Sequence, residues 1–190
     1  MFTHRTLAVV GALAATLSLG ACAVNGTGMG MGDDTTSGQS ADTNNADLAF
    51  TMMMIPHHEQ AIEMADLILR QDGIDQRVLD LAQQIKDAQA PEIELMQGWL
   101  DEWGYGSMDG MDHGGGMMSD DDMSALEDAS GSEASRLFLT QMIEHHVGAI
   151  EMAEEELDGG INPDVRELCE RIIASQTAEI DTMKQILTTL

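Results

Sequence analysis

FTMMMIPHHEQAIEMA, residues 50–65, and FLTQMIEHHVGAIEMA, residues 138–153, are two copies of one pattern. Set 88 positions apart, they share a Phe, a Met-Ile, a His-His pair and Ala-Ile-Glu-Met-Ala. The chain has six histidines, and four of them stand here: His57, His58, His145 and His146. Apolar residues recur in both copies at the three-and-four spacing of a helix with one buried face. The repeat continues downstream, where QAPEIELM at 89–96 answers QTAEIDTM at 176–183, now 87 positions apart. Each half therefore reads as a helical hairpin with its His pair on the first helix. Two hairpins, residues 46–103 and 133–190, joined by a long connection over 104–132, predict an all-α four-helix bundle with a pseudo-twofold axis.

Stop and start signals set the expected boundaries. The first helix runs over 46–71, with Asn45 as N-cap, Asp47 at its positive end and Asp72-Gly73 at its close. The second runs over 75–102 and the third over 133–158, capped by Ser132. Asn162-Pro163-Asp164 opens the fourth, which continues to Leu190. Pro56 and Pro91 lie inside the first two helices and predict a kink or restart in each, because proline removes one backbone bond. Within the connection, Ser119 followed by three aspartates caps a short extra helix.

The chain carries 34 Asp and Glu against 8 Lys and Arg. That balance excludes nucleic acid and anionic membrane surfaces as partners, since both require a basic footprint. Residues 1–21 have a short basic start and an apolar run from Leu7 to Leu19. They predict a secretion signal too short to be a stable transmembrane helix. The signal ends Leu19-Gly20-Ala21-Cys22, which resembles a lipobox and makes Cys22 the expected lipidation site. The expected protein is exported and held at the cell envelope by a lipid anchor in the membrane. Residues 22–45 are rich in Gly, Ser, Thr, Asn and Asp and read as a flexible tether before the bundle domain at 46–190. With Cys22 used for lipid, Cys169 has no disulfide partner.

Projected around a helix, His58 and His146 fall near the centre of each apolar stripe. His57 with Met64, and His145 with Met152, fall on an edge, with Met54 and Met142 close by. Glu63 and Glu151 face away. One buried histidine is ordinarily satisfied by a polar neighbour. A pair flanked by thioethers, repeated by symmetry, points to metal ligands instead. Met54, His57, His58, Met64, Met142, His145, His146 and Met152 are the candidate set. Imidazole with thioether suits a copper ion, Cu(I) above Cu(II), whereas zinc rarely takes Met. Gln89 and Gln176, on apolar seams, are expected to hold the imidazoles in place, with Glu92 and Glu179 beside them as further oxygen donors. Met111, His113, Met117 and Met118 mark the connection as a looser metal-capturing loop. The 16 methionines exceed what core filling explains, because many stand in Gly- and Asp-rich segments.

The twice-repeated Met-Ile-x-His-His-x-x-Ala-Ile-Glu-Met-Ala resembles the bacterial family called domain of unknown function 305. The resemblance covers residues 46–190 and includes Trp103-Gly104, the Gly-Met-Met-Ser run at 116–119 and the Gln-x-x-Glu-Ile partners. It implies a ferritin-like fold and copper binding outside the cytoplasm, through the eight His and Met positions named above. Two other readings compete. One is a structural or partner-binding bundle with core histidines. The other is a di-iron carboxylate enzyme, which needs a Glu three residues before a ligand His. Here positions 54, 55, 142 and 143 are Met, Ile, Met and Ile, so that enzyme is disfavoured and no catalytic residue is expected.

Overall fold

The computed structural model describes residues 42–106 and 115–190. The signal segment, most of the tether, Cys22, Met111 and His113 lie outside the described residues. Five helices follow in order: α1 (Asn45–Leu69), α2 (Gln76–Glu102), α3 (Asp120–Asp128), α4 (Gly131–Gly159) and α5 (Pro163–Leu187). The protein is all-α, as the periodicity predicts. α1 packs on α2 and α4 on α5, so each sequence half is a hairpin. The hairpins meet through α1 and α4, and α3 leans on both. None of the described helices is long and apolar enough to cross a membrane.

Several boundaries differ from expectation for local reasons. Asn44, not Asn45, caps α1: its Oδ1 accepts from the amides of Ala46 and Asp47, and Asp47 Oδ2 accepts from Asn44 N at 2.6 Å. This reciprocal pairing satisfies donors that a helix start leaves free. Asp47 does more, because its Oδ1 also accepts from Ile161 N and Asn162 N, tying the start of α1 to the α4–α5 turn. α4 starts at Gly131 after Ser130, so Ser132 lies inside it rather than capping it. α5 ends at Leu187. Neither Pro56 nor Pro91 interrupts its helix. One missing backbone bond is outweighed where Met54, His57, His58 and Ala61 are all buried around the proline. Ser119 and Asp122 cap α3 reciprocally, as expected.

The core is split in two. One apolar cluster joins the second half of α1 (Ala61, Met64, Ile68) to the first half of α4 (Phe138, Met142), with Ile85 of α2 and Met183 of α5. The other joins Phe50 and Met54 of α1 to Met152 and Ala153 of α4, with Met96 of α2 and Ile172 of α5. Residues early in α1 thus meet residues late in α4, so the two helices cross antiparallel. Each buried side chain of this size contributes roughly 1.5–3 kcal/mol. Between the clusters, every long helix has a polar interval: His57-His58 on α1, Gln89 and Glu92 on α2, His145-His146 on α4, Gln176 and Glu179 on α5. The bundle therefore has a polar layer through its middle.

Candidate metal centre

All four paired histidines are buried, none more than 1% exposed. The two that the helical projection places on stripe edges are the ones that meet. His57 and His145 face each other across the α1–α4 seam, with ring centroids 3.7 Å apart and planes tilted by 39°. An edge of one stripe is where the neighbouring hairpin begins, which a single-helix projection cannot show. His58 and His146 turn the other way, each toward its own hairpin partner. His58 Nε2 donates to Glu92 Oε2 at 2.8 Å, and His146 Nε2 donates to Glu179 Oε2 at 2.6 Å. The twofold predicted from the repeat is present in these contacts.

Those carboxylates have the role expected of the glutamines. Gln89 and Gln176 are buried, yet neither Oε1 has a partner and neither amide bonds a histidine. An acidic oxygen is the stronger acceptor for an imidazole N–H. A proton held on Nε2 leaves the Nδ1 lone pair of His58 and His146 free. Both Nδ1 atoms are buried and unpartnered, as are both ring nitrogens of His57 and of His145: six orphaned imidazole nitrogens in one layer. Leaving such a group unsatisfied costs about 1–3 kcal/mol.

Burial also keeps the facing pair neutral. The His57 pKa falls from 6.5 to about 3, first through loss of solvent and then through the neighbouring His58 and His146. His145 is held well below its ordinary value by burial, then by His57. Both rings therefore offer a lone pair at neutral pH, with no proton to displace.

The thioethers bracket this layer. Met54 and Met142 lie three residues, about one helical turn, before His57 and His145. Met64 and Met152 lie seven residues after them, about 10 Å along the helix. All four sit in the apolar clusters. Among the described residues, no three His, Cys, Asp or Glu side chains form a ready-made cage. The donor set on hand is imidazole nitrogen with thioether sulfur close by, which fits a soft ion of low coordination number better than a hard one.

The end of the connection lies over the seam. Gln60 grips it by both backbone atoms of one residue: Met118 N donates to Gln60 Oε1 at 2.7 Å, and Gln60 Nε2 donates to Met118 O at 2.9 Å. Gly116, at φ +85°, rests on Gly148 of α4. A Cβ on Gly148 would come within 2.6 Å of Gly116 Cα and 2.8 Å of Gly115 O. A Cβ on Gly116 would stand 3.5 Å from His57 Nε2. Residues 115–118 thus form a strap beside the facing imidazoles, with Met117 and Met118 half-buried in it. Sequence reasoning did not find Gln60 or Gly148, although a signal existed: the 88-residue offset that aligns the two copies puts them at the same position.

Replacing Gly148 by Ala sets two effects against each other. Alanine favours the helix by about 1 kcal/mol, while backbone overlap with the strap costs about 1–3 kcal/mol. The strap is the softer element and should lift. Global stability is then expected to move by about 1 kcal/mol or less, while the Met118 amide loses hydrogen-exchange protection tenfold or more. Unchanged protection at Met118 would show that the strap is not seated on Gly148.

The model of the family described as domain of unknown function 305 matches residues 47–187. A DUF305 fragment from Deinococcus radiodurans shares 30% identity, with a TM-score of 0.71 over 78% of this chain and 99% of that one. A DUF305 protein from Streptomyces coelicolor, named as secreted, shares 31%, with a TM-score of 0.72 over 79% and 95%. CopM in its Cu(I)-bound form shares 33%, with a TM-score of 0.67 over 75% and 96%. CopM is also known in Cu(II)-bound and silver-bound forms. No curated protein matches the chain.

Proposed function

The chain belongs to the DUF305 family, and from that premise we propose that it binds copper in its central polar layer, capturing or buffering the metal at the cell envelope. The observation that carries this reading is the set of six buried imidazole nitrogens without partners. A bundle whose histidines served structure alone would satisfy them. One relative at about a third identity, CopM, has been seen with Cu(I), Cu(II) and Ag, which supports copper as the ion. The neutral facing rings and the thioethers one turn away favour Cu(I). His57 and His145 are the primary ligands, His58 and His146 contribute through Nδ1, and Met54 and Met142 are the nearest sulfurs. Export and a lipid anchor on Cys22 complete the proposal, and we assign no catalytic role.

The test is a Cu(I) titration of the mature chain against a competing chelator. Affinity should fall at least a hundredfold when all four histidines become alanine; equal affinity in the two proteins would refute the reading. Glu92→Gln and Glu179→Gln should each weaken binding about 10–100-fold, because a neutral amide polarises the imidazole less. Circular dichroism should remain unchanged in both. An effect confined to stability, with affinity intact, would make the two carboxylates structural.

A further inference from the structure

The facing imidazoles have a cover that belongs to neither hairpin. α2 closes one side of α1 and α5 one side of α4, where His58 and His146 turn to Glu92 and Glu179. Over the seam itself lies the strap, residues 115–118. Gln60 follows His57 by three residues and Gly148 follows His145 by three. That spacing puts each contact with the strap on the face beside an imidazole. Gly116 passes next to His57 Nε2, and the Gly115 backbone faces the same ring.

The two ends of segment 115–128 are held very differently. At the α3 end, Leu126 is fully buried in an apolar cluster. Gln71 Nε2 and Gln141 Nε2 donate to the carbonyls of Leu126 and Asp122, both at 2.9 Å, so α3 is anchored from α1 and from α4. At the strap end, among the described residues, the side-chain bonds are the two that Gln60 makes with Met118. Gly115 and Gly116 are exposed, at φ +34° and +85°, and have no side chain to bury. Met117 and Met118 are half-buried, and Met118 packs against the cluster. Local opening starts where bonds are few and burial is shallow. That is the end beside the histidines.

We propose that residues 115–118 are a gate over His57 and His145, latched by Gln60 and hinged at Ser119, where α3 begins. The gate rests on the copper reading for its cargo, and it makes access, rather than ligand strength, the quantity that Gln60 sets. The closed strap keeps solvent from the imidazoles and slows release. The open strap admits the ion and lets it go, while α3 stays docked.

The experiment follows Cu(I) uptake and release by the mature chain in stopped flow, with a colorimetric chelator as acceptor. Gln60→Ala removes both bonds and should speed uptake and release alike, each about tenfold. Kd should stay within about threefold, because the latch does not favour the loaded over the empty state. Gly148→Ala, which pushes the strap from the α4 side, should act in the same direction. Gln71→Ala frees a bond of the same kind at the α3 end and should leave both rates unchanged. A second readout needs no metal. Carbethoxylation of His57 and His145 by diethyl pyrocarbonate, located by tandem mass spectrometry, should accelerate about tenfold in Gln60→Ala and not in Gln71→Ala. Circular dichroism checks that each variant is folded. Unchanged uptake and release in a folded Gln60→Ala would overturn the gate and leave copper binding standing. Equal acceleration in Gln71→Ala would overturn it too, since the whole bundle would then be loosening. Cu(I) affinity that does not depend on the histidines would remove the copper reading instead, and the carbethoxylation rates would then decide the gate.

Discussion

Replacing His57 and His145 together by leucine should make the metal-free protein more stable, by about 2–4 kcal/mol, while abolishing its stabilisation by Cu(I). The ring centroids stand 3.7 Å apart, and none of the four buried nitrogens has a hydrogen bond of ordinary geometry. Each orphaned group costs about 1–3 kcal/mol, and leucine removes that cost while adding apolar burial. Imperfect repacking takes back about 1.5 kcal/mol or less. Copper reverses the comparison. A ligand at a thousand times its Kd adds about 4 kcal/mol to the wild type and nothing to a variant that cannot bind it. Urea unfolding with and without Cu(I) measures both halves. A leucine variant that is less stable than wild type, or one that copper still stabilises, would remove the basis for the metal centre. The expected gain places these histidines among residues kept for function at the expense of stability.

The same pair should make the metal-free protein lose stability in acid. In the unfolded chain a histidine titrates near 6.5, whereas folded His57 titrates at about 3. Between those values the unfolded state binds the extra proton, so stability is complete above about pH 6.5 and falls as pH drops toward 3. From pH 7 to pH 5 the loss from His57 alone is about 2 kcal/mol, and His145 acts in the same direction. Glu156 opposes them. Its folded pKa is raised by burial, then by Asp47, to about 8, so its contribution is complete below the unfolded carboxyl range and fades as pH rises through 8. The histidine effect is therefore read as a difference, wild type minus His57→Leu/His145→Leu, in which Glu156 cancels. That difference should become more negative from pH 7 to pH 5. A flat difference would mean that the imidazoles are solvated in the folded state.

The hairpin repeat, the helix count and the burial of His58 and His146 were legible in the sequence, because a 3.6-residue period and an 88-residue offset are properties of the string itself. Which histidine meets which was not legible. A projection treats one helix at a time, and the contact between His57 and His145 belongs to the seam between hairpins. That Glu92 rather than Gln89 bonds the imidazole was not legible for a similar reason. Both lie on the same face of α2, and only the distance to His58 decides between an amide and a carboxylate. Of the kink or restart expected at the prolines, the restart does not occur: α1 and α2 run on through Pro56 and Pro91, where the core buries both flanks of Pro56.

The strap makes the two halves of the repeat inequivalent. Gln60 and Gly148 occupy the same position in the two copies and do opposite things: one side chain holds Met118, and the other is absent so that Gly116 can lie down. A single segment laid over the seam between two equivalent hairpins cannot itself be twofold-symmetric. The strap touches both halves, Gln60 of α1 and Gly148 of α4, through unlike contacts. The twofold of the repeat thus holds for the four histidines and their carboxylates and ends at the strap, so the surroundings of His57 and His145 are not equivalent.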